Sequence, residues 1–198
     1  MSAQFSFDPA RSAVLSMDYQ AGIVSIYAKG QEAMLARAAS VLQEARRAGM
    51  LVIHVQVGFR PGLPEISSRN LLFGAIKASP QHQMFFRGES GAIHPGVAPE
   101  GDDIVVTKHR VNAFAGSDLE MILRARDIDT LIVFGIATSG VVLSTVLHAS
   151  DSDYRLFVIK DCCADLDQEL HTCLINKLFP HQATVLAAEE LAGALAAR

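Results

Sequence analysis

The chain has 198 residues, 50% of them hydrophobic, and a formal net charge of −4. That is enough apolar material for one sizeable core, and the mild acidity offers no electrostatic footprint for nucleic acid or an anionic membrane surface. Three cysteines, two of them adjacent at Cys162 and Cys163, lack disulfide or metal-ligand spacing and point to reduced thiols in the cytoplasm.

Met1 to Ala10 carries neither a basic n-region nor a long apolar segment, so no signal peptide is expected. Ala13–Met17 reads as a short apolar strand ending at Asp18-Tyr19-Gln20. Gly30–Ala48 reads as a helix, because Ala33, Met34, Ala38, Val41, Leu42 and Ala45 fall on one stripe and Gly49 stops it. Leu51–Val57 is the second strand. Regular alternation then lapses from Gly58 to Asp102, apart from a helical turn near Asn70 to Ala78. A loop region this long is usually functional, and a lid over a pocket is the natural role.

Asp103–Lys108 is the third strand. Ser117 opens a helix running to about Arg126, with Glu120 placed to complete a capping box. Thr130–Ile136 is the fourth strand, and a helix from Gly140 to about Ser150 follows, with Ser139 as its N-cap. Thr130 to Ser150 holds no Asp, Glu, Lys or Arg, yet Gly135 and Thr138-Ser139-Gly140 break it, so strand, turn and helix explain it better than a membrane span. Arg155–Lys160 is the fifth strand, Asp167–Phe179 a helix stopped by Pro180, Ala183–Ala187 the sixth strand and Ala188–Ala197 the closing helix. Residues 1–198 read as a single domain without internal repeats.

Strands alternating with helices, and strands rich in Val, Ile and Leu without polar alternation, imply an α/β fold whose parallel sheet is covered on both faces. Right-handed crossovers put every strand's carboxyl end on one edge. Asp18, Lys108, the Gly135 turn and Asp161 all sit at such ends. Asp18, partly desolvated behind a buried strand, makes with Lys108 an acid/base pair or a structural salt bridge. Arg60, within Phe59-Arg60-Pro61-Gly62, can clamp a substrate carboxylate or stand free on the surface. The Gly135 turn matches neither a dinucleotide fingerprint nor a Walker loop nor a nucleophile elbow. The seven histidines show no metal-ligand spacing; His109 stands out as the neighbour of Lys108.

Three segments together carry a resemblance. Ser16-Met17-Asp18-Tyr19-Gln20, then Val106-Thr107-Lys108 followed by Asn112-Ala113-Phe114, then Gly135-Ile136-Ala137-Thr138 followed by Thr145, resemble the signature segments of the isochorismatase-like hydrolase superfamily in order and spacing. The resemblance implies a three-layer α/β/α sandwich with a six-stranded parallel Rossmann-like sheet of order 3-2-1-4-5-6. It implies a homo-oligomer, dimer or larger, acting on a small molecule; from charge and motif content, no membrane partner, nucleic-acid partner or cofactor is expected. It also implies an Asp-Lys-Cys triad in the cysteine-hydrolase members, which include nicotinamidases and carbamoylsarcosine amidases. Asp18 and Lys108 match the first two places. The Ile136–Ala137 peptide matches a cis bond that helps present backbone N–H groups as an oxyanion hole.

The nucleophile's place, counted from Gly135 and back from Thr145, holds Val141. Valine cannot attack a carbonyl. The nicotinamidase metal motif is missing from Gly58 to Asn70 as well, so no metal is expected. True isochorismatases resemble this case: they lack the cysteine, and their aspartate protonates a vinyl ether that water then attacks. The expectation is therefore a hydrolase with Asp18 as general acid or base and Lys108 as its partner. Its substrate is a small carboxylated or cyclic metabolite, bound by Gln20, Arg60, Phe114, Ile136, Ala137 and Val141. Two readings stand beside it: an inactive family member that binds a small molecule or a partner, and a cysteine amidase whose nucleophile has moved to Cys162 or Cys163.

Overall fold

The computed structural model describes residues 7–196. Six parallel strands form one sheet: β1 (Ser12–Met17), β2 (Leu51–Val57), β3 (Ile104–Lys108), β4 (Thr130–Gly135), β5 (Arg155–Ile159) and β6 (Thr184–Leu186). Their spatial order is β3-β2-β1-β4-β5-β6, with helices on both faces, as the sequence implied. β1 and β4 are buried along their full length, which is why their apolar residues do not alternate with polar ones. The chain leaves β1 toward β2 on one side and returns to β4 on the other, so the switch point of the sheet lies between the ends of β1 and β4. Such a crevice is where open α/β sheets bind ligands.

The helices follow their sequence signals unevenly. Helix α1 (Ala21–Tyr27) was not expected: Gly22 and the β-branched Ile23 and Val24 are poor helix formers, and the Gln20 side chain before it accepts no capping hydrogen bond. Gly22 is needed for another reason, because a Cβ there would meet the carbonyl oxygen of Phe85 at 2.9 Å. Helix α2 (Glu32–Arg47) buries Met34, Ala38, Val41, Leu42 and Ala45, the stripe that its spacing dictates. Gly49, at φ 73°, then turns the chain into β2.

The long segment after β2 is structured. It contains α3 (Leu71–Ala78), α4 (Pro80–Met84) and α5 (Gly88–Gly91). Asn70 caps α3 by accepting from Phe73 N at 3.0 Å, and Ser79 caps α4. Val57, Leu63, Ile66 and Phe73 make a small core of their own, separate from the main one. Lys77 Nζ ties the segment together by donating to the carbonyls of Leu63 and Ile66 at 3.0 and 3.1 Å.

Helix α6 (Leu119–Ala125) forms without the expected capping box. Ser117 Oγ donates to Ala113 C=O, while Glu120 pairs with Arg124 one turn on. Helix α7 (Leu143–Asp151) follows a π-helical turn, Thr138–Val142, and Ser139 does not cap it. The Ser139 N–H instead donates to Asp165 Oδ2 at 2.7 Å, so this turn is held by the loop after β5. The expected Asp167–Phe179 helix is α8 (Gln168–Cys173), capped by Asp167 and continued as a π turn to Leu178. Helix α9 (Ala188–Ala196) packs on α2; the expected end of this helix at Ala197 lies outside the described residues. Among the described residues no helix is long and apolar enough to cross a membrane.

Candidate active site

Asp18 is the first residue past β1, at φ 58°. Aspartate tolerates this left-handed conformation better than most side chains. The turn is fixed by its own N–H, which donates to Val55 C=O at 2.8 Å. Lys108 is the last residue of β3, opposite Val57 in register. Its ammonium reaches past the end of β2 and donates to Asp18 Oδ2 at 2.8 Å and to Arg110 C=O at 3.0 Å. Lys108 is 1% exposed and Asp18 6%. Asp18 Oδ1 is buried and has no hydrogen-bond partner. Burial pushes the Asp18 carboxyl up from the ordinary carboxylate range, and the charge and hydrogen bond of Lys108 pull it only part of the way back.

The third component is the turn after β4. Met17 and Gly135 are partners in the β1–β4 register, and a Cβ at 135 would stand 2.5 Å from Met17 C=O. Glycine is the residue that lets the two strand ends close this tightly. The Ile136–Ala137 peptide is cis, as the resemblance implied. Ile136 N–H donates to Met17 C=O at 3.1 Å, and Thr138 is held by Ala164 C=O and by His171 Nδ1, 2.8 Å from its hydroxyl. Thr145 Oγ1 accepts from Ala113 N at 3.1 Å and Asn112 donates to Ser144 C=O at 3.0 Å, which anchors the loop after Lys108 to α7. The three sequence segments thus converge physically.

Between them lies a cavity of about 400 Å³. Asp18 and Lys108 form its polar floor; Ile136, Ala137 and Val141 form one wall, and Phe73, Phe85 and Phe86 of the 58–102 segment form the opposite one. That segment is therefore a cover over the chain's own cavity. Tyr27 and His82 also border it, half-buried and exposed respectively. No serine, threonine or cysteine is among the lining residues.

Three of the residues expected to bind substrate lie elsewhere. Gln20 is buried beneath the cover: its amide nitrogen donates to Val57 and Gly91 carbonyls at 3.0 and 2.8 Å, and its oxygen accepts from Val57 N at 2.8 Å. It fastens the cover to β2. The Arg60 side chain is 64% exposed, with Glu65 at 3.7 Å and His109 at 3.4 Å. Phe114 stacks on His148, ring centroids 4.5 Å apart and 15° from parallel. His109 turns away as well, with Nδ1 2.6 Å from Gly58 C=O. His54 is a core histidine bound to Asp103, which also takes a bidentate contact from Arg46.

The cysteines stand apart from the cavity. Cys163 Sγ donates to Ile159 C=O, and burial pushes its thiol up to about 12. Cys162 is equally buried and its thiol is also pushed up, while its carbonyl accepts from Tyr19 Oη at 2.5 Å. Neither is an activated thiolate. Among the described residues no group of three or more His, Cys, Asp or Glu is arranged to hold a metal ion. Sequence reasoning missed the aromatic wall and Asp165; the Phe85-Phe86 pair was the available signal, in a stretch without periodicity.

A parallel six-stranded sheet with an Asp–Lys pair at its switch point defines an α/β/α enzyme scaffold. Residues 12–190 match the Isochorismatase domain. An uncharacterized isochorismatase family protein of Escherichia coli O157:H7, YecD, is 31% identical over 93% of this chain and 96% of its own. A maleamate amidohydrolase of Pseudomonas putida is 27% identical over 81% of this chain and 76% of its own. The solved structure of an isochorismatase family protein from Burkholderia thailandensis superimposes with a TM-score of 0.79 at 26% identity, covering 94% of this chain and 96% of that one. The chain belongs to the isochorismatase family of hydrolases.

Proposed function

We propose that this hydrolase cleaves the amide bond of a small molecule, with water as the nucleophile and Asp18 as the proton carrier. The observation that carries the reading is a half-used carboxyl group facing a wall without a nucleophile. Lys108 occupies Asp18 Oδ2 and leaves Oδ1 unpartnered, and Val141, which we assign to the place of the family's cysteine, lines the cavity beside them. The maleamate amidohydrolase relative supports an amide as the scissile bond.

In this reading, Asp18 Oδ1 accepts a proton as water attacks the carbonyl carbon. The alkoxide that forms is met by Lys108, which uses two of its three N–H donors in the resting site. The backbone N–H of Ala137 adds to that stabilisation, since those of Ile136 and Thr138 are committed to the carbonyls of Met17 and Ala164. The C–N bond then breaks as Asp18 returns the proton to the leaving nitrogen, giving a carboxylic acid and an amine. A carboxyl group held above its usual range is a stronger base for the first step and retains its proton for the second.

The test is a panel of small amides assayed with native, alkylated and Asp18→Asn protein. The expected result is turnover that survives iodoacetamide, since exposed Cys173 reacts without consequence. Asp18→Asn should lose on the order of 10²–10⁴ in rate. Abolition by iodoacetamide, or full activity in Asp18→Asn, overturns the reading.

A further inference from the structure

The cavity holds one buried cation and one buried anion, and they neutralise each other. Lys108 and Asp18 are 2.8 Å apart with both side chains under a tenth exposed. The other cations near the site are committed elsewhere. Arg110 donates to the carbonyls of His109 and Glu65 at 2.6 and 2.8 Å, and Arg60 lies outside the cavity beside Glu65. His82 is at the exposed rim. An anionic ligand would give up its hydration for a pair of zero net charge, with Asp18 Oδ1 unpartnered close by. A cationic ligand meets the same difficulty from Lys108. The remaining lining is aliphatic and aromatic, with Ile23, Val57, Ile76 and Val111 alongside the three phenylalanines. Its size falls in the range of small-molecule sites, roughly 300–1,000 Å³.

We propose that the cavity selects an uncharged ligand with an apolar, preferentially aromatic body and one hydrogen-bond donor directed at Asp18 Oδ1. Resting on the amide reading above, this makes the substrate a neutral carboxamide. It excludes the carboxylated metabolite that the sequence suggested through Arg60. It also sets the order of events around the reaction. A neutral amide enters, a carboxylate is formed, and the site that favoured the first expels the second. The step that supplies this enzyme must therefore deliver an uncharged amide, and the step that follows takes a free acid.

The experiment compares benzamide with benzoate, which share shape and differ in charge, by isothermal titration calorimetry at neutral pH. Native protein should bind benzamide on the order of tenfold or more tighter than benzoate. Equal affinity, tighter benzoate binding, or binding of neither overturns the proposal. In Asp18→Asn the ammonium of Lys108 loses its counter-charge, so the preference should invert toward benzoate. Should that variant not fold, Phe86→Ala provides the second arm: it removes part of the aromatic wall, so benzamide affinity falls severalfold, and benzoate, which carries the same ring, falls with it. A Phe86→Ala protein that binds benzamide as well as native protein does also overturns it. These are binding measurements without turnover, so failure of the hydrolytic reading leaves their outcome intact, and the reverse holds.

Discussion

Lys108 Nζ lies 2.8 Å from Asp18 Oδ2 across 90 residues of sequence and across a strand, since β2 separates β3 from β1. The lysine reaches over the end of β2 to find the carboxylate. Removing one member of a buried pair leaves the other uncompensated. Lys108→Met should therefore destabilise the fold by about 3–5 kcal/mol. The double variant Asp18→Asn/Lys108→Met should recover a large part of that loss, because no buried charge is left over. Urea denaturation of the four proteins of the cycle measures both. A Lys108→Met protein as stable as native would contradict the pairing.

The carboxyl group of Asp18 has its pKa raised by burial, and this has opposite consequences for rate and for stability. The proposed base must be ionised, so kcat/KM rises with pH through the raised pKa, above the range of an ordinary aspartate. Stability moves the other way. The folded state holds this proton more tightly than the unfolded chain, so the contribution is complete below the unfolded pKa and is lost as pH rises through the folded one. A pH–rate profile whose acid limb lies at an unperturbed carboxylate pKa would count against Asp18 as the base.

Gly135 tests the geometry that brings the strand ends together. A methyl group there would meet Met17 backbone at 2.5 Å and Met17 Cβ at 2.9 Å. The two strands are paired at that point and cannot part without breaking the sheet's central ladder. Gly135→Ala should cost about 1–3 kcal/mol by overpacking and shift the turn at Ile136–Ala137. The expected signature is a lower urea midpoint together with reduced turnover. An alanine variant with native stability would show that the close approach is not needed.

The sheet was legible because a buried parallel strand has no solvent face. Leu131-Ile132-Val133-Phe134 and Ala13-Val14-Leu15 read as strands without alternation, while their spatial order came from the resemblance to the family. Asp18 and Lys108 were legible because polar residues ending such strands converge on one edge. Gln20, Arg60 and Phe114 were misplaced because side-chain direction depends on tertiary partners. The Gln20 amide matches the peptide groups of Val57, and Phe114 finds His148 on α7. Helix α1 was invisible because packing of Gly22 against Phe85 overrides its poor propensity. Of the cover, the helical turn at Asn70 to Ala78 was legible and is α3; the rest carried no periodic signal, because its other helices are short and its small core draws on residues from Val57 to Phe73.

Val141 offers the most direct test of the register that puts the family's cysteine at this position. Its side chain is 1% exposed, within the first turn after the cis peptide, on the cavity wall shared with Asp18 and Lys108. The exchange of valine for cysteine keeps nearly the same volume, so Val141→Cys should fold with a stability change under about 1.5 kcal/mol. The new thiol lies on the wall that it shares with an ammonium and a carboxylate able to take its proton, unlike Cys162 and Cys163, whose burial keeps the thiol protonated. It should react with iodoacetamide in a benzamide-protectable manner, and alkylation should abolish the variant's activity while native activity is untouched. Mass spectrometry of the alkylated peptides locates the label. An unreactive cysteine at 141 would mean that the wall does not present this position to the acid–base pair, and the register that places the family nucleophile here would be wrong.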